Sequence, residues 1–309
     1  MNAAKTPRAD ARPAIVVGTD FSESAGVAVA WARAIAVHCG GTLHIVHAVP
    51  LPPEISDPYG VLMARTADHL VETARSAVER ISLAARTDGL QTACHVELSW
   101  PARTLLSVAQ SVGAELVVVG TRGLTGMRSV FLGSTARRVL PHAPCPVLAV
   151  HPEERPPALP VSQVLLPTDL ALDPESVLGP VDRLFGPLAK GGRVTLLHVL
   201  DLPAQYYREP VFSMIPIDLD PKAVAAGIER RLTEVADRMT AAGRAVEPAL
   251  CEGPTAARIV EEARARRADL VAIGSHGRSG LPHLLLGSVA ERVVQLADAP
   301  VLVVHPPRG

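Results

Sequence analysis

The segment that decides the fold is Leu116–Leu140, LVVVGTRGLTGMRSVFLGSTARRVL, because it recurs as Leu270–Val294, LVAIGSHGRSGLPHLLLGSVAERVV. The two copies start 154 residues apart and agree at 11 of 25 positions. Each reads as an apolar strand, a glycine-containing loop and a helix. A repeat with this period predicts a chain built from two copies of one domain. Among the glycines that recur are Gly120, Gly123 and Gly133, which match Gly274, Gly277 and Gly287.

The repeat extends over most of the chain. Residues 14–20, AIVVGTD, have a counterpart in 163–169, QVLLPTD, and the PVLAV of 146–150 has one in the PVLVV of 300–304. A chain of 309 residues is long enough for two domains of about 150 residues, each with its own core. We therefore predict two domains, over 13–151 and 162–306, joined by a proline-rich linker over 152–161. A disordered N-terminus over 1–12 precedes them.

Within each half, short runs of Val, Ile and Leu alternate with longer helical patterns. Most of the strands are apolar on consecutive residues, which indicates that both of their faces are buried, as in a parallel sheet between helices. The sequence thus predicts an α/β fold of two tandem doubly wound domains. The predicted strands are 14–19, 43–49, 92–98, 115–120, 146–150, 163–168, 193–200, 246–251, 269–274 and 300–304. The predicted helices are 23–39, 61–87, 102–112, 133–141, 175–190, 221–242, 254–267 and 287–297.

The composition of the chain indicates which binding partners and which cellular compartment to expect. The net charge of −1 comes without a basic run, so nucleic acid is not expected as a partner. No apolar run reaches the roughly 18 residues of a membrane helix, and the N-terminus has no secretory pattern. The four cysteines show no C-x-x-C spacing, which favours reduced thiols. We expect a cytoplasmic protein that does not bind a membrane.

The glycine motif indicates a site for an anion. Glycines at a strand exit allow a ligand to approach the backbone closely, and Gly133-Ser134 opens a helix whose free N–H groups and positive dipole end favour phosphate. Ser134 and its counterpart Ser288 can add hydroxyl donors. A structural alternative also exists, because glycine often ends a strand and serine often caps a helix without any ligand.

Several common chemistries do not fit. There is no G-x-x-x-x-G-K-[ST] and no lysine near either motif, which argues against P-loop phosphoryl transfer. No G-x-G-x-x-G follows the first strand, so a Rossmann dinucleotide site is not expected. No nucleophile is paired with a base. The spacing of His38, His44 and His47 does not define a metal site, and His47 and His198, at matching strand ends, suit a structural or pocket-lining role.

The chain resembles a known family in these motifs. The VGTDFSESA of 17–25, the long second helix, G-x-x-G-(nine residues)-G-S and the final P-V-L-x-V strand are similar to a universal stress protein domain of the ATP-binding branch. The resemblance covers nearly the whole chain, as two tandem domains. It implies a five-stranded parallel sheet of order 3-2-1-4-5 in each half. It also implies ATP where strands one and four diverge, with Mg²⁺ held by phosphate oxygens and water.

The resemblance also assigns roles to residues. In the first half Asp20, with Gly18 and Thr19 before it, would face the adenine or ribose, and Ala48 would line the adenine pocket. Gly120, Arg122 and Gly123 would follow the ribose and phosphates, and the helix start would hold the phosphates through Gly133, Ser134 and Thr135. The matching positions of the second half are Pro167, Thr168, Asp169, Val199, Gly274, His276, Gly277, Gly287, Ser288 and Val289.

The two halves differ at the first strand exit. Phe21-Ser22 follows Asp20, as is usual in the family, whereas Leu170-Ala171 follows Asp169, and the next helix is expected to begin later. This difference does not touch the glycine motif, so both sites are expected to be competent.

Three functions follow as hypotheses. The leading one is an ATP-binding stress-response regulator that works by binding and serves an unknown protein partner. The alternative is an ATP hydrolase or phosphoryl or adenylyl transferase, which the absent lysine and base disfavour. The third is a scaffold with vestigial loops. Since the family usually dimerises through its last strand, we expect 147–150 and 301–304 to pair as an internal pseudo-dimer, and two chains to associate further.

Overall fold

A computed structural model describes residues 12–50, 60–122, 132–154, 159–188, 191–201, 221–275 and 286–305, with backbone alone for 60–66 and 221. In the first half the elements are β1 (Ala14–Gly18), α1 (Glu23–Cys39), β2 (Thr42–Val49), α2 (Gly60–Arg86), β3 (Gln91–Leu98), α3 (Pro101–Val112), β4 (Leu116–Gly120), α4 (Ser134–Val139) and β5 (Val147–Val150). The second half contains β6 (Gln163–Pro167), α5 (Pro174–Phe185), β7 (Arg193–Leu200), α6 (Pro221–Ala241), β8 (Val246–Glu252), α7 (Thr255–Ala265), β9 (Leu270–Gly274), α8 (Ser288–Leu296) and β10 (Val301–Val304).

All ten strands form one sheet, in the order β3-β2-β1-β4-β5-β10-β9-β6-β7-β8. Each half therefore has the doubly wound order 3-2-1-4-5, and its strands pair in parallel. The halves meet where β5 pairs with β10 in antiparallel register, with Leu148 opposite Leu302. The pairing predicted for the last strands is thus observed, and we call this junction of β5 and β10 the seam.

The apolar strands are buried because helices cover both faces of the sheet. One core layer lies under α1, α2, α5 and α6, and the other under α3, α4, α7 and α8, and both continue across the seam. The outer strands β3 and β8 differ, since most of their residues are partly or fully exposed. They are the edges of the ten-stranded sheet, where only one side has a neighbouring strand.

Most predicted helix ends are confirmed, and several of them are followed by a glycine with positive φ. Gly89 and Gly243, which follow α2 and α6, have φ of 80° and 93°. The prediction for α5 was too long: the helix ends at Phe185 instead of 190, because Gly186 takes a φ of 78°. Counted from the strand-end aspartate, α5 begins two residues later than α1 does, as expected. Asp173 caps α5 by accepting from the N–H of Glu175.

Candidate functional site

The candidate site of each half lies where the order of the strands reverses. In the first half β1 pairs with β2 on one side and β4 on the other, and in the second half β6 lies between β7 and β9. The carboxyl ends of parallel strands meet at one edge of the sheet, and ligands of doubly wound folds bind in the crevice there. The turn after β1 and the exit of β4 both reach this crevice.

The turn after β1 is fixed by side chains that bind its own backbone. Thr19 Oγ1 accepts from the N–H of Phe21 at 3.1 Å, and Asp20 Oδ1 accepts from the N–H of Ser22 at 3.0 Å. The Ser22 hydroxyl also donates to Asp20 Oδ1 at 2.5 Å. These bonds hold Phe21 in the left-handed region, with φ of 63°. Asp20 is thereby placed at the strand end, where the sequence predicted it.

The second half builds the same turn from different residues. Thr168 Oγ1 accepts from the N–H of Leu170 at 3.0 Å, Asp169 Oδ1 accepts from the N–H of Ala171 at 3.0 Å, and Leu170 has a φ of 62°. The missing Phe-Ser therefore leaves the turn unchanged, because the Thr-Asp pair makes its bonds. The other oxygen, Asp169 Oδ2, is buried without a hydrogen-bond partner in the described part of the chain.

A histidine on the neighbouring strand supports each turn. His47 Nδ1 lies 2.8 Å from the carbonyl oxygen of Thr19, and His198 Nδ1 lies 2.7 Å from that of Thr168. A carbonyl only accepts, so Nδ1 carries the proton in both histidines. The Phe21 ring stacks on His47 with centroids 4.4 Å apart. These contacts give the histidines a structural role. The next residues, Ala48 and Val199, are buried at the strand ends.

The glycine at the end of β4 allows α1 to approach the strand closely. A Cβ on Gly120 would lie 2.9 Å from Ser24 Oγ and 3.3 Å from the Ser24 carbonyl oxygen. The Ser24 hydroxyl is buried and has no hydrogen-bond partner among the described residues. A side chain at position 120 would therefore force Ser24 to shift, so packing alone favours glycine here. Its counterpart Gly274 ends β9 in the same way.

The helix starts lack side-chain caps. Gly133 and Gly287 occupy the N-cap positions of α4 and α8, and a glycine has no side chain that could cap the helix. Ser134 and Ser288 are exposed as the first helical residues, followed by the partly buried Thr135 and Val289. The structural alternative, in which serine caps the helix, is therefore not observed. The open N–H groups of each first turn suit an anion.

Of the other predicted site residues, some lie in the part of the chain that the structure describes and others lie outside it. Arg122 pairs through Nη1 with Glu153 Oε1 at 2.8 Å, next to the linker. Pro167, the counterpart of Gly18, ends β6. Gly123, His276 and Gly277 lie outside the described residues.

A cavity of about 840 Å³ borders the second turn. Its walls are the turn from Thr168 to Pro174 and the α6 residues Arg231, Glu234, Val235, Asp237 and Arg238. The described glycines of the motif do not line it, so the cavity lies between the turn and α6. Arg231 closes part of it by donating to the Leu170 carbonyl at 3.2 Å.

Sequence reasoning missed a group of residues behind the glycine motif. Thr121 Oγ1 lies 2.9 Å from Nδ1 of the buried His151, and His305 is the counterpart of His151 in the repeat. Burial lowers the pKa of His151, and the charge of Arg122 adds to this effect. The available signal was the 154-residue spacing of the two histidines, each directly after a PVLxV strand.

Two negative findings apply to the described residues. No helix in these ranges is long and apolar enough to span a membrane. No three His, Cys, Asp or Glu side chains in the same ranges are grouped to hold a metal ion.

The fold and the site together define a class: tandem α/β proteins with a crevice at the strand-order reversal of each half and an uncapped helix start beside it. The sequence model of the universal stress protein family matches residues 12–151 and 162–305, and the chain belongs to this family. Over 94% of its length it is 32% identical to a universal stress protein of Mycolicibacterium smegmatis, with 97% of that protein covered. It is also 33% identical to the universal stress protein Rv2623 of Mycobacterium tuberculosis, covering 94% of this chain and 95% of that one.

The same architecture occurs in solved structures. A universal stress protein from Archaeoglobus fulgidus superposes with a TM-score of 0.60 at 18% identity, over 94% of this chain and 96% of the other. At this level of identity the similarity supports the tandem fold.

Proposed function

We propose that this universal stress protein binds one ATP in each half and acts in the stress response by binding, without turnover. The observation that carries the proposal is the uncapped helix start of α4 and of α8. Each lies in the same half as a strand-end aspartate, Asp20 or Asp169. Phosphate groups would accept from the free N–H groups, while the aspartate would bind a hydroxyl or amino group of the nucleoside.

The residues available suit each part of the nucleotide. Ser134 and Thr135 in the first half, and Ser288 and Val289 in the second, offer backbone N–H groups, with hydroxyls on three of these four residues. The N–H groups of Gly133 and Gly287, which precede them, donate to the carbonyls of Thr121 and Ser275. Mg²⁺ would be held mainly by the phosphates and water. The apolar Ala48 and Val199 lie at the ends of the neighbouring strands, where the base would pack.

Bound nucleotide would act as a regulator by changing the stability of the site. A micromolar site supplies about 8 kcal/mol of binding free energy, and ligand at 100 times Kd stabilises the fold by about 2.7 kcal/mol. The free energy is gained at loops and helix starts, so a protein partner would meet a different surface in the bound form. We place this regulator in the cytoplasm, where its four cysteines would remain reduced.

A thermal melt with and without Mg-ATP tests the proposal. Gly133→Asp together with Gly287→Asp should abolish the shift, because aspartate caps the helix itself and places a negative charge where the phosphates would lie. The wild type should gain roughly 5–10 °C at 100 times Kd. Gly227→Asp, at a glycine of α6 with open space around it, is the matched control and should keep the shift.

Two outcomes would contradict the proposal. The first is an unchanged melting temperature in millimolar Mg-ATP. The second is steady release of phosphate or AMP that is lost in the double variant, which would indicate an enzyme instead of a binding protein.

A further inference from the structure

Two histidines cross the seam in opposite directions. His151 follows β5, and its Nε2 lies 3.0 Å from the carbonyl oxygen of Val294 in the other half. His305 follows β10, and its Nε2 lies 2.7 Å from the carbonyl oxygen of Leu140 in the first half. Both the two histidines and the two carbonyl residues are 154 positions apart, so the two contacts are equivalent in the repeat.

The partners of His151 define where its protons are. The Val294 carbonyl can only accept, so Nε2 of His151 carries the proton and donates it. In the neutral ring Nδ1 is then an acceptor, and the Thr121 hydroxyl, 2.9 Å away, donates to it. His151 is 7% exposed and Thr121 is 2% exposed, so water does not compete for these bonds.

Thr121 connects this histidine to the candidate site of its own half. It follows Gly120 directly, and its carbonyl accepts from the N–H of Gly133 at 2.8 Å, at the start of α4. In the second half the Ser275 carbonyl accepts from the N–H of Gly287 at 2.8 Å. The N–H of Ser275 donates to the Val304 carbonyl at 2.8 Å, next to His305.

Each helix of the candidate sites is consequently held by both halves. The N-cap of α4, Gly133, is bound by its own half, and the C-cap, Leu140, is bound by His305 from the other. For α8 the corresponding contacts are made at Gly287 by its own half and at Val294 by His151. These contacts form a reciprocal link across the seam.

We propose that His151 and His305 are positioning residues, each of which sets the helix of the opposite candidate site, so that ATP binding in the two halves is coupled. The coupling rests on the proposed function, whereas the positioning can be measured without a nucleotide. A ligand that fixes α8, for example, would strengthen the Val294–His151–Thr121 chain and thereby order the motif of the first half.

Hydrogen exchange of the full chain without nucleotide tests the positioning. His151→Ala should speed exchange of the α8 amides, in the opposite half, about tenfold, because the Val294 carbonyl loses a buried donor. His305→Ala should do the same for α4. His151→Gln keeps a side-chain N–H donor and should restore most of the protection. His69→Ala, at an exposed histidine of α2, is the control and should change neither helix.

Unchanged exchange of α8 in His151→Ala would overturn the positioning, as would a uniform change over both halves. So would a failure of His151→Gln to restore protection while the chain stays folded.

Calorimetric titration with Mg-ATP tests the coupling separately. In a Gly133→Asp background, which leaves the second half as the binding site, His151→Ala should weaken ATP binding about tenfold, and His151→Gln should restore it. Equal affinities in the three proteins would overturn the coupling. If no variant and no wild-type protein binds ATP, the proposed function and the coupling both fail. In that case the hydrogen-exchange experiment would still test the histidine contacts, because it needs no nucleotide.

Discussion

The carboxyl group of Glu154 is buried close to the seam, and neither of its oxygens has a hydrogen-bond partner among the described residues. Burial raises its pKa from 4.5 to about 8, and the charges of Glu153 and Asp298 add to the rise, which the backbone of His151 offsets only in part. The folded chain thus binds this proton more tightly than the unfolded chain. The contribution to stability is most favourable below pH 4.5 and is lost progressively as the pH rises to 8.

We therefore predict that the free energy of unfolding falls between pH 5 and pH 9, and that Glu154→Gln removes most of this fall. At pH 9 the variant should be more stable than the wild type by an amount on the order of a few kcal/mol. Urea unfolding at pH 5, 7 and 9 measures this. Glu79→Gln, at an exposed position, is the control. Parallel pH curves for wild type and Glu154→Gln would show the idea to be wrong.

Single residues also show what the sequence could and could not reveal about the site. Asp20 and Asp169 were predicted at strand ends because an apolar run stops shortly before each of them, with two residues between. The shared turn conformation was not predicted, because Phe21 and Leu170 have unrelated side chains. It is the preceding Thr and the Asp that bind the backbone and allow a positive φ in both.

Among the secondary-structure elements, α5 is joined by one arginine to the connection between α6 and β8. Arg244 donates from Nε and Nη2 to the two oxygens of Glu175, at 2.9 Å each, and from Nη1 to Asp182 Oδ1 at 3.1 Å. Its side chain is only 17% exposed. Both carboxylates raise the pKa of Arg244, which indicates a favourable environment for its charge.

We predict that Arg244→Ala lowers the free energy of unfolding by about 2 kcal/mol, since two carboxylates lose charge-assisted hydrogen bonds. Arg244→Lys should recover little, because an ammonium group cannot bind in the forked geometry. Arg193→Ala, which removes an exposed ion pair with Glu247, should cost less than about 1 kcal/mol. Chemical denaturation of the three variants compares them. Equal losses for Arg244→Ala and Arg193→Ala would contradict the prediction.

The antiparallel pair of β5 and β10 leads to a further prediction. Leu148 and Leu302 face each other in this pair, and both are fully buried. Leu148→Asp should destabilise the chain by about 3 kcal/mol or more, because an unpaired charge would be buried in the core. Leu148→Met keeps the volume and should cost less than about 1.5 kcal/mol. Equal losses of the free energy of unfolding in Leu148→Asp and Leu148→Met, measured in urea, would argue against a tightly packed seam.

The elements were largely predictable because local signals mark their ends. Glycines close α2 and α6, and Pro174 and Pro221 begin helices. The length of α5 was not predictable, since the apolar pattern continues past the point at which Gly186 stops the helix. The order of the strands came from the family resemblance, because consecutive apolar residues indicate a parallel sheet but not which strands are neighbours in it.

For the whole molecule, the repeat predicted two similar halves, and the family resemblance together with the apolar last strands predicted how they meet. The hydrogen bonds across the seam could not be predicted in the same way. His151 and Val294 are 143 residues apart, and His305 and Leu140 are 165 apart, so no helix or strand period relates them. Only the equal spacing of the repeat links the two contacts, and it does not tell which atoms meet.

The measurement that bears most directly on the central claim is the number of ATP molecules bound by the full chain, from calorimetric titration with Mg-ATP. We predict two per chain in the wild type, one in Gly133→Asp or Gly287→Asp, and none in the double variant. Absence of binding in millimolar Mg-ATP would contradict the claim. So would two bound molecules in the double variant, because the helix starts would then not be the place where the phosphates are held.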